Sequence, residues 1–202
     1  MGGVPPRSPL APERFPDLPE IAGVALATGA TGVRYQGRDD VLLARLAPGS
    51  VVAGVFTRSA TRSAAVLDCE GKIGADSDAG AAILVNAGNA NAFTGRHGAE
   101  AVGALTAAAG TALGLPAGRV FTSSTGVIGE RLPHERIAAA LFDLAARLAP
   151  GGWEAAARAI GTTDTFPKGA GAVVEIGGTP VRIAGIAKGS GMIAPDMATM
   201  LV

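Results

Sequence analysis

The apolar residues of this chain come in runs too short for anything but strands and modest helices. The runs Ile21–Ala27, Val41–Leu46, Val51–Thr57, Ala81–Val85, Arg119–Ser123, Ala172–Ile176 and Val181–Ala187 are mostly closed off by Gly, Asp or Pro, the pattern of short β-strands. Two stretches keep the helical repeat instead. In Ala99–Leu113 it is carried by Val102, Leu105, Ala109 and Leu113, and in Pro133–Leu148 by Ile137, Leu141, Leu144 and Leu148. Pro133 suits a first helical turn, where its missing N–H is not needed, and Gly151–Gly152 marks a stop before a shorter helix over Trp153–Ile160. Strands and helices mixed without a regular βαβ alternation predict an α/β fold of layered sheets, mixed or antiparallel, flanked by helices.

With 202 residues, 48% of them hydrophobic, the chain can bury one sizeable core or two small lobes. Its 17 basic and 17 acidic side chains cancel, so no net field draws it to nucleic acid or an anionic membrane, and a small molecule or a protein is the expected partner. The uncharged stretches Ala79–Gly95 and Ala101–Gly118 are interrupted by Gly and Thr and are too weakly apolar for a membrane span. Cys69 is the single cysteine, with His97 and His134 the only histidines. A disulfide framework is excluded, a Cys/His zinc site is disfavoured, and a reducing cytoplasm fits. Residues 1–20 are proline-rich, carry Arg7 and Arg14 and lack the apolar stretch of a signal peptide. They read as an extended lead-in over the surface, with 21–202 as the folded remainder. The run Met197–Val202 still reads as core, and a continuation beyond it is expected.

Four polar, glycine-containing segments interrupt the apolar pattern. Asn86-Ala87-Gly88-Asn89-Ala90-Asn91-Ala92-Phe93-Thr94-Gly95 holds all three asparagines; it is either a ligand loop or a structural one in which amides bond to nearby backbone. In Ser123-Ser124-Thr125-Gly126-Val127-Ile128-Gly129 a hydroxyl beside a glycine N–H can aim two donors at one point, as an oxyanion requires, or the segment is a capped turn. Gly161-Thr162-Thr163-Asp164-Thr165-Phe166-Pro167-Lys168 gathers hydroxyls, a carboxylate and an ammonium, suited to an amino-acid-like substrate or to a solvated turn after a helix. The last, Ala187-Lys188-Gly189-Ser190-Gly191-Met192-Ile193-Ala194-Pro195-Asp196-Met197-Ala198-Thr199-Met200, spaces Gly189, Gly191 and Ala194 like a dinucleotide fingerprint, but the strand and acidic residue that the fingerprint needs have no room to follow. In the same segment the Thr199 hydroxyl can attack the carbonyl carbon of the small Ala198. An N-to-O acyl shift and hydrolysis would then leave a new α-amine beside that hydroxyl as its own base.

In this order the segments Asn86–Gly95, Ser124–Pro133, Thr162–Lys168 and Lys188–Leu201, together with Ala53-Gly54-Val55-Phe56-Thr57-Arg58, resemble the ornithine acetyltransferase family, also called glutamate N-acetyltransferase, of arginine biosynthesis. The most specific part is KGSGMIAPDMATM. The resemblance implies a precursor that cleaves itself between Ala198 and Thr199, an N-terminal chain that stays bound to the C-terminal (beta) chain, and further assembly into a hetero-oligomer. It implies acetyl transfer from N-acetylornithine to glutamate through an acetyl-threonine, with Thr199 as nucleophile, Thr125 and Gly126 as oxyanion hole, Thr162 and Lys188 in contact with substrate, and no metal or organic cofactor. The implied fold is the stack of mixed sheets of the ornithine acetyltransferase and aminopeptidase superfamily. Whether Lys188 binds a carboxylate or tunes the amine, and whether acetyl-CoA is also a donor, these motifs leave open. The alternatives are an amidase or aminopeptidase of the same superfamily, in which water accepts the acyl group, and a non-catalytic binding subunit in which all four loops are turns. On this reading the chain as written is incomplete and by itself inactive.

Overall fold

The computed structural model describes residues 6–75, 77–191 and 200–202. In chain order the elements are β1 (Val24–Gly29), β2 (Val41–Leu46), α1 (Ala64–Lys72), β3 (Ala81–Asn89), α2 (Gly95–Leu113), β4 (Val120–Val127), α3 (His134–Ala146), α4 (Trp153–Ala159), β5 (Lys168–Ile176) and β6 (Thr179–Ala187). The first four strands form one sheet in the order β1-β2-β3-β4, with β3 and β4 parallel and the other neighbours antiparallel.

β2 explains why this sheet is sandwiched. Alternate side chains leave a strand on opposite faces, and Val41 and Leu43 enter one buried cluster while Leu42 and Ala44 enter another. The first cluster is closed by α2, through Ala101, Leu105 and Ala109, and by α3, through Ile137, Leu141 and Leu144. These are positions spaced three and four apart, as the helical repeat predicts. On the other face α4 contributes Ala156 and Ala159, followed by Ile160, and Leu201 packs against the same cluster. Beyond β4, α1 sets Cys69 against Phe121 and Ala81. Burial pushes the Cys69 thiol above its usual pKa, with the nearby Asp68 adding to the effect against the opposing influence of Thr122 and Lys72.

β5 and β6 form a separate antiparallel hairpin in which Ile176 faces Thr179. The intervening Gly177 and Gly178 have φ of 57° and 79°, the left-handed pair demanded by the two-residue turn whose twist matches the strands. Phe15 and Leu18 lie against Gly169 and Gly171 of β5, where an added methyl group would meet them. Among the described residues no helix is long and apolar enough to cross a membrane.

The expected α/β class of mixed sheets flanked by helices is what forms. Elements differ in detail. β2 has the predicted bounds; β3 and β4 run on to Asn89 and Val127 because their parallel ladder continues through polar residues. The run Val51–Thr57 forms no strand. Val52 and Phe56 pack near α1, but Val51 and Val55 are 91% and 82% exposed, so only two inward anchors straddle Gly54 and the period-two burial of a strand is missing. α1 lay outside the expected helices: its buried residues are Ala65 and Cys69 alone, too slight an apolar stripe to register. Its start is nevertheless capped by Ser63, whose hydroxyl accepts from the Val66 N–H at 3.4 Å.

Candidate functional site

The end of β4 is shaped by a close approach. Ala87 faces Thr125 and Gly88 faces Gly126, after which the register slips at Gly88/Asn89. Gly126 has φ of 137°, and a Cβ there would strike the backbone of Gly88 and Asn89. Only glycine lets the two parallel strands come this near, and the bulge turns the residues beside it out of the ladder. The loop between α4 and β5 delivers Thr162 and Asp164, and the residue after β6 is Lys188.

These pieces meet at one amine. The Lys188 Nζ donates to Thr162 Oγ1 at 2.7 Å and to Thr125 Oγ1 at 3.0 Å, in a residue only 3% exposed. Burial drives its pKa below the ordinary lysine value of 10.5; the Asp164 carboxylate opposes that shift and the Lys168 charge adds to it. Each threonine hydroxyl accepts from Lys188 and keeps its own proton to donate elsewhere. Asp164 sits behind them. Its Oδ1 accepts from Lys168 Nζ at 2.6 Å and from the Gly189 N–H at 2.8 Å, and its Oδ2 from the Thr162 N–H at 3.2 Å. Burial alone would raise the Asp164 pKa, but the hydrogen bonds from Lys168, Gly189 and Thr162 and the Lys168 charge outweigh it and hold the carboxyl below the usual value. Among the described residues two ammonium groups stand against one carboxylate here, an arrangement suited to an anionic group. The chain returns to it at Leu201, whose carbonyl accepts from the Lys188 N–H at 2.9 Å.

Of the residues singled out from sequence, Thr125, Thr162 and Lys188 thus come together and Gly126 adjoins them. Ala198 and Thr199 lie outside the described residues. The asparagine loop uses its amides internally: Asn86 donates to the Asn89 carbonyl at 2.9 Å and accepts from Ser124 Oγ at 2.7 Å, Asn89 donates to the Glu130 carbonyl at 3.1 Å, and Asn91 donates to the Gly98 carbonyl at 3.1 Å. That is the structural-loop reading, with the loop bracing the end of β4. In the third segment Asp164 and Lys168 are the carboxylate and ammonium expected to suit an amino-acid-like substrate; the structure pairs them with each other. The signal was their spacing of four around Pro167, which allows the ion pair they form.

A four-stranded mixed sheet covered by helices, ending in a bulged parallel pair beside a buried lysine that binds two threonines, defines an α/β protein with a cationic site at the end of that pair. The chain belongs to the ArgJ family, whose model matches residues 25–202. It is 68% identical over 195 residues to the arginine biosynthesis bifunctional protein ArgJ of Ruegeria pomeroyi, covering 96% of this chain and 48% of that protein. To the protein of the same description from Nitrobacter winogradskyi it is 56% identical over 196 residues, covering 96% and 47%. Among solved structures it is similar to arginine biosynthesis bifunctional protein ArgJ of Bacillus halodurans, with TM-score 0.77, 31% identity and coverage of 89% of this chain and 92% of that one. It is equally similar to ornithine acetyltransferase of Mycobacterium tuberculosis complexed with ornithine, with TM-score 0.77, 33% identity and coverage of 89% and 93%. The chain spans about half the length of the curated relatives it matches.

Proposed function

We propose that this chain is the N-terminal part of a self-cleaving acetyltransferase that moves an acetyl group from N-acetylornithine to glutamate in the cytoplasm, working with the C-terminal (beta) chain of the same precursor. The observation that carries the reading is the meeting of Lys188 with Thr125 and Thr162, next to a strand end where only glycine fits and beside Leu201, two residues past Thr199. The Thr199 hydroxyl attacks the Ala198 carbonyl, the acyl group shifts from nitrogen to oxygen, and water releases the two chains. The freed Thr199 amine then serves the hydroxyl as base. In turnover that hydroxyl takes the acetyl group as an ester, ornithine leaves, and the glutamate amine removes the acetyl in the second half of the cycle.

Both substrates carry an α-carboxylate, which the cationic pair of Lys188 and Lys168 can hold with Thr162 as a further donor. As the carbonyl is attacked, negative charge gathers on its oxygen. Thr125 and the Gly126 N–H supply two donors there, each worth about 3 kcal/mol, or roughly a hundredfold in rate. That the similar Mycobacterium tuberculosis structure is an ornithine acetyltransferase complexed with ornithine supports the choice of amine.

The intact mass of the full-length precursor, beside its Thr199→Ala variant, tests this. Two fragments dividing at Ala198-Thr199 in the parent and a single uncut chain in the variant are expected. An uncut parent, or a cut elsewhere, removes the nucleophile assignment. With cleavage established, acetyl appearing on glutamate and not as free acetate separates the transferase from an amidase.

A further inference from the structure

Resting on the acyl-transfer reading of the same site, we propose that Asp164 is its positioning residue: one carboxylate ties the Thr162 loop to the backbone after Lys188 and so fixes the Thr125–Lys188–Thr162 triangle.

The β5–β6 ladder ends at Lys168 and Ala187, and beyond it Asp164 accepts from the backbone of both segments. Thr162 and Lys188 belong to different segments, the loop before β5 and the exit of β6, 26 positions apart in sequence. Their mutual bond runs through a long, flexible lysine side chain, which alone fixes little. Asp164 supplies the rigid part. It holds the backbone of both segments, the Thr162 N–H at 3.2 Å and the Gly189 N–H at 2.8 Å, with its side chain 7% exposed. Lys168 locks the carboxylate from the third side at 2.6 Å and is itself backed by the Phe166 carbonyl at 3.4 Å and the Phe166 ring.

The arrangement also sets the charge of Lys188. Among the described residues the charged groups that act on its amine are Asp164, which favours the proton, and Lys168, which disfavours it; Thr125 and Thr162 face it with neutral hydroxyls. Burial pushes Lys188 toward the neutral amine, and Asp164 is the group that restrains it. Loss of the carboxylate should therefore do two things together. It loosens the geometry, and it lets Lys188 give up its proton at lower pH. A carboxylate that merely stapled the backbone would do the first without the second.

The test is run on the full-length protein, with Lys188 followed by NMR of carbon-13-labelled lysine and assigned by its disappearance in Lys188→Met. In Asp164→Asn the Lys188 titration is expected at lower pH than in the parent. kcat for acetyl transfer is expected to fall by up to about a hundredfold, the scale of an ångström-sized misplacement, and Asp164→Glu should recover most of both. An unmoved Lys188 titration in folded Asp164→Asn overturns the assignment, whether or not the parent transfers acetyl. A moved titration in a parent that transfers no acetyl leaves Asp164 in its role and removes the acyltransferase reading instead. Should Asp164→Asn not fold, Lys168→Met decides: leaving the carboxylate to act on Lys188 without its competitor, it is expected to move the titration to higher pH, and an unchanged value overturns the proposal.

Discussion

At position 126 a single methyl group decides whether β3 and β4 can meet. Because that methyl would strike the backbone of Gly88 and Asn89, and the backbone there has φ of 137°, Gly126→Ala is expected to lower stability by about 3 kcal/mol, read from urea unfolding. Lys188 gives a second residue-scale expectation. Its folded-state pKa lies below 10.5, so between the two values the unfolded chain holds more protons and stability rises with pH. Lys188→Met should flatten that rise. Asp164 gives a slope of the same sign in the acid range: its pKa is depressed from 3.8, so its contribution is present above that value and is lost as pH falls through the folded one. The segments holding Thr125, Thr162 and Lys188 stand out in the sequence because polar residues interrupt apolar runs there, while the choice of Thr162 and Lys188 within them came from the family resemblance. Asp164 was visible only as the carboxylate of a possible substrate cluster and its structural role was not, since one acid in a hydroxyl-rich turn looks the same whether it is solvated or holds two backbones together.

Among the elements, α3 rests most heavily on its apolar face. Ile137, Leu141 and Leu144 are all fully buried, and they join α2 and the sheet in one cluster. Leu141→Ala is expected to cost about 3 kcal/mol through lost burial and the cavity left behind, measurable as a lowered Tm. The same concentration of signal is why α3 could be placed from its repeat. α1 could not, because a helix that buries one alanine and one cysteine is held by its neighbours more than by its own pattern. The strand expected at Val51–Thr57 failed for the reverse reason: its composition suited a strand, but strand formation also needs ladder partners, and side-chain content does not reveal whether an edge is available. β3 and β4 run past their expected ends because their last residues are polar, whereas the ladder needs only backbone.

For the whole molecule, one buried side chain does what no single element could. The Arg119 guanidinium donates to the Gly80 carbonyl at 2.7 Å, to Ser50 at 3.0 Å and to Ala75 at 3.5 Å, drawing the irregular segment around Ser50 and the approach to β3 onto the start of β4. Such long-range ties leave no local signature, so the class of the fold could be read from the sequence while its connections could not. The meeting at Lys188 has a consequence for the order of events in the protein's life. Thr125 and Lys188 are 63 residues apart, and between them the chain must lay down α3, α4 and both hairpin strands. Contacts so remote in sequence form late, after nearer ones have paid for much of the lost chain entropy. On a ribosome the earlier strands and helices emerge while the lysine is still unmade. Whatever reaction the triangle supports therefore keeps its own clock, silent in the nascent chain and started only by the completed fold.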